Sequence, residues 1–247
     1  MTITTSPEHA SRTTGATAAP GILHSFVDDP EFGALPALLV GMTVVTGLVD
    51  AVSILRLGRV FVANMTGNVV FLGFAVARAP GFSLVASLVA LVGFMVGAVV
   101  GGHLARRGAA AAHLLATAAF VETVLVAAAL VVVGVVGLPA PLATTSAVAG
   151  LLALAMGVQN AVARHLAVPD LTTTVLTMAL TGFAADPRSR PRGRRAASVV
   201  AMFGGAVVGA ALVTHGQAWV ALGVATGALL AVSVLAVRMS HTEPHTS

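Results

Sequence analysis

The sequence predicts an all-α integral membrane protein with about six full transmembrane helices and two short or broken membrane segments. The chain has 247 residues, of which 57% are hydrophobic and 9% are charged, and its mean hydropathy is +0.97. An ordinary soluble domain is about 45–50% apolar and about 25% charged. The excess recurs in blocks near bilayer length. Runs such as 84–100 and 124–136 are apolar on every face, whereas strands of a membrane barrel would alternate.

Six of the apolar segments are long enough to span a bilayer. Two others are doubtful, namely 60–78, which contains a polar cluster, and 171–184, which contains five threonines. At about 1.5 Å per residue the second reaches about 21 Å, short of the hydrocarbon core of about 30 Å. That length suits a re-entrant or broken helix better than a span, whereas 60–78 is nearly long enough to span. The predicted spans are about 36–55, 83–105, 111–137, 143–163, 196–214 and 217–237.

Short sequence matches indicate an internal duplication. Each match is weak in a chain rich in Gly, Ala and Val, but the three occur in the same order at nearly constant offset. Three crossings per half would make the halves, about 34–138 and 142–238, an inverted repeat, which is a common transporter design. The matches are "GLVDAV" (47–52) with "GVQNAV" (157–162), "GFA" (73–75) with 182–184, and "GAVVG" (97–101) with 205–209.

The arginine distribution predicts the topology. If all eight segments cross, eight arginines lie on the N-terminal side and five on the other. If 60–78 and 171–184 dip in and return, the division is ten against three. The second division obeys the positive-inside rule better. We therefore expect six spans in a bacterial plasma (inner) membrane, with both termini cytoplasmic. The single membrane domain would cover 34–238, between a disordered tail (1–33) and a second tail (239–247).

Asp50 is the strongest single candidate for function. Thr43, Thr46, Asp50 and Ser53 lie on one face of the first helix. A carboxylate inside a membrane helix is costly and by default marks function. One interpretation is a proton- or cation-responsive group lining a cavity. The other is a buried acid paired with Arg56 or Arg59. The duplicate has Asn160 at this place, so the two halves would differ in charge.

The stretch "FVANMTGNVV" (61–70) places four polar or flexible residues in an apolar segment. Asn64 and Asn68 are one helical turn apart, with Thr66 and Gly67 between them. If a half-helix begins here, its free N–H groups would face a cavity and favour an anionic or polar group. Gly67 would allow the break. The alternative is that the amides only join helices by hydrogen bonds.

This region also carries a family resemblance. "GLVDAVSILRLGRVFVANMTGNVVFLG" (47–73) resembles the signature region of the YoaK-like proteins, a bacterial membrane family with a domain of unknown function. The resemblance extends over roughly 35–238 and is strongest at Asp50, Phe61 and "NMTGN". It implies a multi-spanning inner-membrane protein of about six helices and supplies no substrate. "LTTTVLTMALTG" (171–182) departs from the amide-rich pattern of the first half.

Further candidates lie in the fourth and later segments. Thr174 and Thr177 would line the other side of a shared site, or would only bond their own helix backbone. Glu122 lies in the middle of a span, as a second proton site, as a counter-charge for an arginine, or as a protonated acid in a structural hydrogen bond. Gln159 and Asn160 are expected to face the interior. The histidines show no metal-ligand spacing, so we expect neither a metal site nor a cofactor.

The remaining motifs concern packing and partners. The small-residue spacing at Gly93, Gly97 and Gly101 predicts close helix contacts and would also allow a homodimer. The Arg188–Arg195 loop would anchor the topology and bind anionic lipid. No feature indicates nucleic-acid binding.

Taken together, the sequence favours a transporter or permease over an enzyme. Its solute would be small and polar, with an anion as one option, and would cross at a midplane site between the two repeats. Binding would involve Asn64, Thr66, Gly67, Asn68, Asn160, Thr174 and Thr177, and proton coupling would involve Asp50 and Glu122. A passive channel and a non-transporting scaffold are the alternatives. No nucleophile or metal set of an enzyme is recognisable.

Overall fold

The computed structural model of the protein describes Phe26, Asp29, residues 32–168 and residues 192–242, with side chains from 193 to 241 in the last range. Seven α-helices lie in these ranges, and we number them in chain order. They are α1 (Leu35–Arg56), α2 (Met65–Val76), α3 (Leu84–Ala105), α4 (Ala111–Val136), α5 (Leu142–Leu166), α6 (Arg192–Thr214) and α7 (Ala218–Thr242).

Six of these helices are long and apolar enough to cross a bilayer, and only α2 is too short. The predicted fold class, all-α with six full spans, is therefore confirmed. The segment 60–78 holds one short helix of 12 residues, which reaches about 18 Å at the α-helical rise. The other doubtful segment, 171–184, lies outside the described residues.

Local signals explain where several helices begin and end. Pro36 lies in the first turn of α1, where its missing N–H costs no hydrogen bond. Ser83 caps α3 by accepting a hydrogen bond from the N–H of Ala86 at 3.2 Å. Gly137, with φ +75°, stops α4 in a conformation that favours glycine.

The helices run alternately up and down, so the bundle has two distinct ends. α1 ends and α3 begins at the same end of the bundle. This is shown by Gly58, just after α1, where a Cβ would lie 3.6 Å from the Cβ of Ala86 in the first turn of α3. We call this the Arg56 end. At the opposite, Arg194 end, Asp29 forms an ion pair with Arg194 near the start of α6. Since α1 ends and α3 begins at the same end, the intervening chain with α2 does not cross the bundle.

Two helix pairs are locked by glycines at backbone contact. On α1, a Cβ on Gly47 would lie 2.2 Å from the carbonyl oxygen of Met202 on α6. On α5, a Cβ on Gly157 would lie 2.2 Å from the carbonyl oxygen of Phe94 on α3. No side chain fits at such distances, so both interfaces require glycine. In both pairs a helix from one half of the chain packs against a helix from the other half.

The interior consists of two main apolar clusters, one toward each end. The cluster toward the Arg56 end includes Val45, Val49, Val126 and Met156. The cluster toward the Arg194 end includes Met42, Leu115, Ala119 and Ala163. Most members are small aliphatic side chains. The central helices α1 and α5 are the most buried, and the lipid-facing surface is supplied mainly by α3, α4, α6 and α7.

Candidate functional site

The polar stripe on α1 is buried, and its hydroxyls are already hydrogen-bonded. Thr43 donates to the carbonyl of Leu39 at 2.9 Å, within the same helix. Ser53 donates to the carbonyl of Val60 at 2.8 Å and so ties the helix to the chain that follows it. The shared face predicted from the spacing is therefore real, but these groups stabilise the helix and the following loop.

Asp50 organises the chain that follows α1. The backbone N–H groups of Val62 and Ala63 both donate to Asp50 Oδ1, at 3.0 and 3.2 Å. Asp50 stands six residues before Arg56, about 9 Å along the helix axis. Residues 57–64 thus turn back toward the bundle interior, and we call them the return loop. The second carboxylate oxygen, Oδ2, is buried without a hydrogen-bond partner.

Asn68 holds the same loop from the other side. Its Oδ1 accepts from the N–H of Phe61 at 2.8 Å, and its Nδ2 donates to the carbonyl of Phe61. The amide thereby satisfies both backbone groups of one residue, as a neighbouring strand would. Gly67 packs against this residue as well, because a Cβ there would lie 2.6 Å from the Phe61 ring.

The four residues predicted to act together at 61–70 are thus separated. Asn68 is buried and faces the return loop, whereas Thr66 is exposed on the opposite side of α2. Asn64 is the N-cap residue of α2 and makes no capping hydrogen bond with its side chain. Among the described residues, Thr66 and Asn68 point to different sides of α2, and their joint role in binding stays a prediction.

The pairing of Asp50 with an arginine is not found. Arg56 instead donates through Nη2 to the carbonyl of Val213 at 2.9 Å, which joins the ends of α1 and α6. Arg59 lies over Gly81. Among the described residues, the hydrogen bonds of Asp50 all come from backbone N–H groups.

Glu122 presents the opposite situation. Its side chain is fully buried, and neither carboxyl oxygen has a hydrogen-bond partner among the residues that the structure describes. It lies on the buried face of α4, between Ala119 of one apolar cluster and Val126 of the other. The sequence placed this acid in the middle of a span, and its role stays a prediction.

Gln159 links the two central helices. Its Nε2 donates to the Thr46 hydroxyl at 2.9 Å, and that hydroxyl donates to the carbonyl of Met42 at 3.0 Å. Gln159 Oε1 is buried without a partner. The sequence placed Gln159 in the interior but not in the site, because nothing local indicates its contact with a residue 113 positions away. The predicted site residue Asn160 is half-buried and donates to the carbonyl of Met156 at 2.8 Å.

Thr46, Glu122 and Gln159 lie at one level of the bundle, and we call them the middle layer. On each of their helices, the neighbouring turns belong to the two apolar clusters. The middle layer therefore places polar side chains between the two apolar clusters. Its unpartnered atoms, three oxygens from two side chains, can all accept hydrogen bonds.

The other predicted site residues and chemistries are placed as follows. Thr174 and Thr177 lie outside the described residues. Within the described ranges, no three His, Cys, Asp or Glu side chains converge as they would around a metal ion. Two of the surface pockets formed by described residues are relevant here. One is an apolar groove between α3 and α5 lined by residues such as Val92 and Leu151, and the other lies at the Arg56 end.

Comparison with known proteins identifies relatives. The model of a family described as "Protein of unknown function (DUF1275)" matches residues 38–235. The UPF0700 transmembrane protein YoaK of Bacillus subtilis (strain 168) is 31% identical over 153 residues, which cover 62% of this chain and 67% of that protein. No solved structure matches. These relatives agree with the resemblance read from residues 47–73.

Proposed function

We propose that this chain, which belongs to the DUF1275 family of proteins of unknown function, is a transporter. It has six helices able to span a bilayer. A small polar solute would pass through the middle layer, between the two halves of the chain. One observation carries the proposal. Glu122 and Gln159 bury unpartnered acceptor oxygens between two apolar clusters.

The cost of these groups is the reason to assign them a ligand. A buried polar atom without a hydrogen bond costs about 1–3 kcal/mol, and an unpaired buried charge costs more. A hydrophobic side chain at position 122 would avoid that cost. An acid inside the membrane that has no protein partner is best explained by a ligand that binds it during part of the transport cycle.

The solute class follows from the type of atom. The unpartnered oxygens of the middle layer are acceptors, so they fit a cation or a solute rich in N–H and O–H groups. The expected anionic preference rested on the cluster at Asn64 and Asn68, and Asn68 is occupied by Phe61. We therefore propose a donor-bearing solute. Proton coupling through Glu122 is part of the proposal.

We further propose that the two halves form an inverted repeat. Equivalent glycines on α3 and α6 support it. A Cβ on Gly97 would lie 2.0 Å from the carbonyl oxygen of Leu154, and one on Gly205 would lie 2.0 Å from that of Val44. The next glycines, Gly101 and Gly209, repeat the pattern. The α1–α6 and α5–α3 pairs would be rigid units, and the sparse contact between α1 and α5 would be where they move apart.

Cysteine labelling tests the proposed orientation, in which the Arg194 end and both termini are cytoplasmic. The chain has no cysteine, so single variants need no altered background. We expect Pro80→Cys to react with an impermeant maleimide on intact bacterial cells, and Gly108→Cys to react only after permeabilisation. This labelling pattern is expected if the protein lies in the plasma membrane with both termini in the cytoplasm. Reaction of both, or of Gly108→Cys alone, would refute the proposed orientation.

A flux assay tests the transport proposal. Protein reconstituted in liposomes containing a pH-sensitive dye would be offered alkylammonium ions, amino acids and polyols, with sulfate and phosphate as the anionic arm. We expect a donor-bearing solute to drive a proton flux, and Glu122→Gln to lower it by about tenfold or more, as for loss of a coupling acid. Ser146→Ala is the matched control, because Ser146 also buries an unpartnered oxygen but lies outside the middle layer.

The outcomes separate the remaining alternatives. Flux that survives Glu122→Gln and carries no protons would indicate a passive channel. A non-transporting scaffold has its own support, since the α1 stripe is hydrogen-bonded within the protein. In that case no solute in the panel would move, and the transport proposal would fail. The proposal includes no catalytic step.

A further inference from the structure

The pocket at the Arg56 end has a composition that neither the transport proposal nor the family description uses. Its volume is about 460 Å³. It lies where the end of α1 meets the start of α3, beside the return loop. Its lining combines two arginines with aliphatic and aromatic side chains, namely Ile54, Leu55, Arg56, Gly58, Arg59, Phe71, Gly81 and Phe82.

The charge of this pocket is positive, and no carboxylate of the described ranges lines it. Of the carboxylates in the described ranges, Asp29 lies at the opposite end of the bundle and Asp50 and Glu122 are buried in its interior. Arg59 is exposed and has no hydrogen bond or ion pair with another described residue. If this end faces outward, the positive-inside rule does not explain its arginines.

The backbone holds Arg59 in an unfavourable conformation. Its φ is +56°, next to Gly58 at +95°. The left-handed region disfavours residues with a Cβ. Gly81, at φ +86°, completes the arrangement, because a Cβ there would lie 3.0 Å from Arg59 Nη1. A glycine at position 59 would fit the turn better, so the arginine carries a conformational cost there.

The wall beside the guanidinium is aromatic. Phe71 lies 5.1 Å from Phe82 and 5.4 Å from Phe61, measured between ring centroids, and the second pair is stacked. Leu55 adds an aliphatic edge that is 48% exposed. A ligand for this pocket would place an anionic group on Arg59 and an apolar body along the phenyl rings.

We propose that this pocket binds an anionic amphiphile, meaning a phosphate or carboxylate group attached to an apolar chain or body. Arg59 would contact the anion through its planar set of N–H donors, which fits such oxygens in pairs. Arg56 would add charge while its Nη2 stays on Val213. The anion could belong to a bilayer lipid or to a soluble molecule, and the two sources share this chemistry.

Native mass spectrometry of the full-length protein in neutral detergent tests the proposal. The probes are phosphatidylglycerol, phosphatidylcholine and sn-glycerol 1-phosphate. The variant is Arg59→Gly, which removes the guanidinium and suits φ +56°. Arg78→Gly is the matched control, because Arg78 also has a positive φ, +60°, and does not line the pocket.

We expect one tightly bound phosphatidylglycerol, and binding weaker by about tenfold or more in Arg59→Gly, the effect of losing one charge-assisted contact. Arg78→Gly should bind like the natural chain. The thermal midpoint of both variants without ligand should stay level or rise, since glycine relieves the positive φ.

Competition by sn-glycerol 1-phosphate would show that the head group suffices and that a soluble anion is a source. Its failure to compete would point to the bilayer lipid. Equal binding of phosphatidylcholine, or unchanged binding by Arg59→Gly, would overturn the proposal.

Discussion

The polar groups around the return loop and those of the middle layer are both buried, but they are satisfied to different degrees. Around the loop only Asp50 Oδ2 lacks a hydrogen-bond partner among the described residues, whereas the middle layer leaves three oxygens without one. Asp50 accepts from Val62 and Ala63, and Asn68 satisfies both backbone groups of Phe61. Glu122 has no partner for either oxygen. Without water, an irregular loop in a membrane protein must have its backbone groups satisfied by protein. Polar residues near such a loop are therefore structural first, whereas an unsatisfied acid on a regular helix calls for a ligand.

This difference predicts opposite effects on stability, and the largest should come from Asp50→Val. The substitution removes the acceptor of two buried N–H groups, so the free energy of unfolding should fall by about 3 kcal/mol or more. Asp50→Asn keeps one acceptor oxygen and should cost about 1 kcal/mol. Thermal unfolding in detergent measures both. If Asp50→Val were as stable as the natural chain, the return loop would not depend on this carboxylate.

Asn68→Ala should have the next largest effect. It leaves the N–H and the carbonyl of Phe61 without their side-chain partner, which should cost about 2 kcal/mol. Thr66→Ala, on the exposed side of the same helix, should change stability by less than about 0.5 kcal/mol. The same unfolding assay serves here. Both substitutions raise helix propensity, so an equal loss in the two variants would mean that the hydrogen bonds between Asn68 and Phe61 do not explain the result.

The middle layer should respond in the opposite direction. Glu122→Met replaces an unpartnered acid by an unbranched apolar side chain of similar length, so the free energy of unfolding should rise by about 1–2 kcal/mol. The proposed transport activity should be lost at the same time. A stability cost similar to that of Asp50→Val would show that Glu122 has a structural partner after all.

The sequence predicted the fold more completely than the site because different physics decides each. Apolar runs of bilayer length indicate spans directly, so the six helices lie within a few residues of their predicted bounds. The last helix continues to Thr242, five residues beyond the apolar run that predicted it. Spacing also placed Thr43, Thr46, Asp50 and Ser53 on one buried face, as observed.

Partners, in contrast, are set by tertiary contacts that no local pattern reports. Asn64, Thr66 and Asn68 are close in sequence, yet the start of α2 directs Asn68 to the return loop and Thr66 to the surface. The sequence did not place Gln159 in the site because its hydrogen bond to Thr46 joins two residues that are 113 positions apart in the chain. The glycine periodicity on α3 indicated close packing, but only the structure shows that each locked pair takes one helix from each half.

The smallest expected effect concerns this bond between Thr46 and Gln159, the hydrogen-bonded edge of an otherwise unsatisfied layer. Thr46→Val and Gln159→Met each remove one partner, and the double variant completes the thermodynamic cycle. Interhelical hydrogen bonds in membrane proteins average about 0.6 kcal/mol, so we expect a coupling energy of that size in thermal unfolding. If α1 and α5 separate during transport, so weak a bond is what their interface requires. A coupling of several kcal/mol would instead fix the two central helices together and would argue against movement at the middle layer.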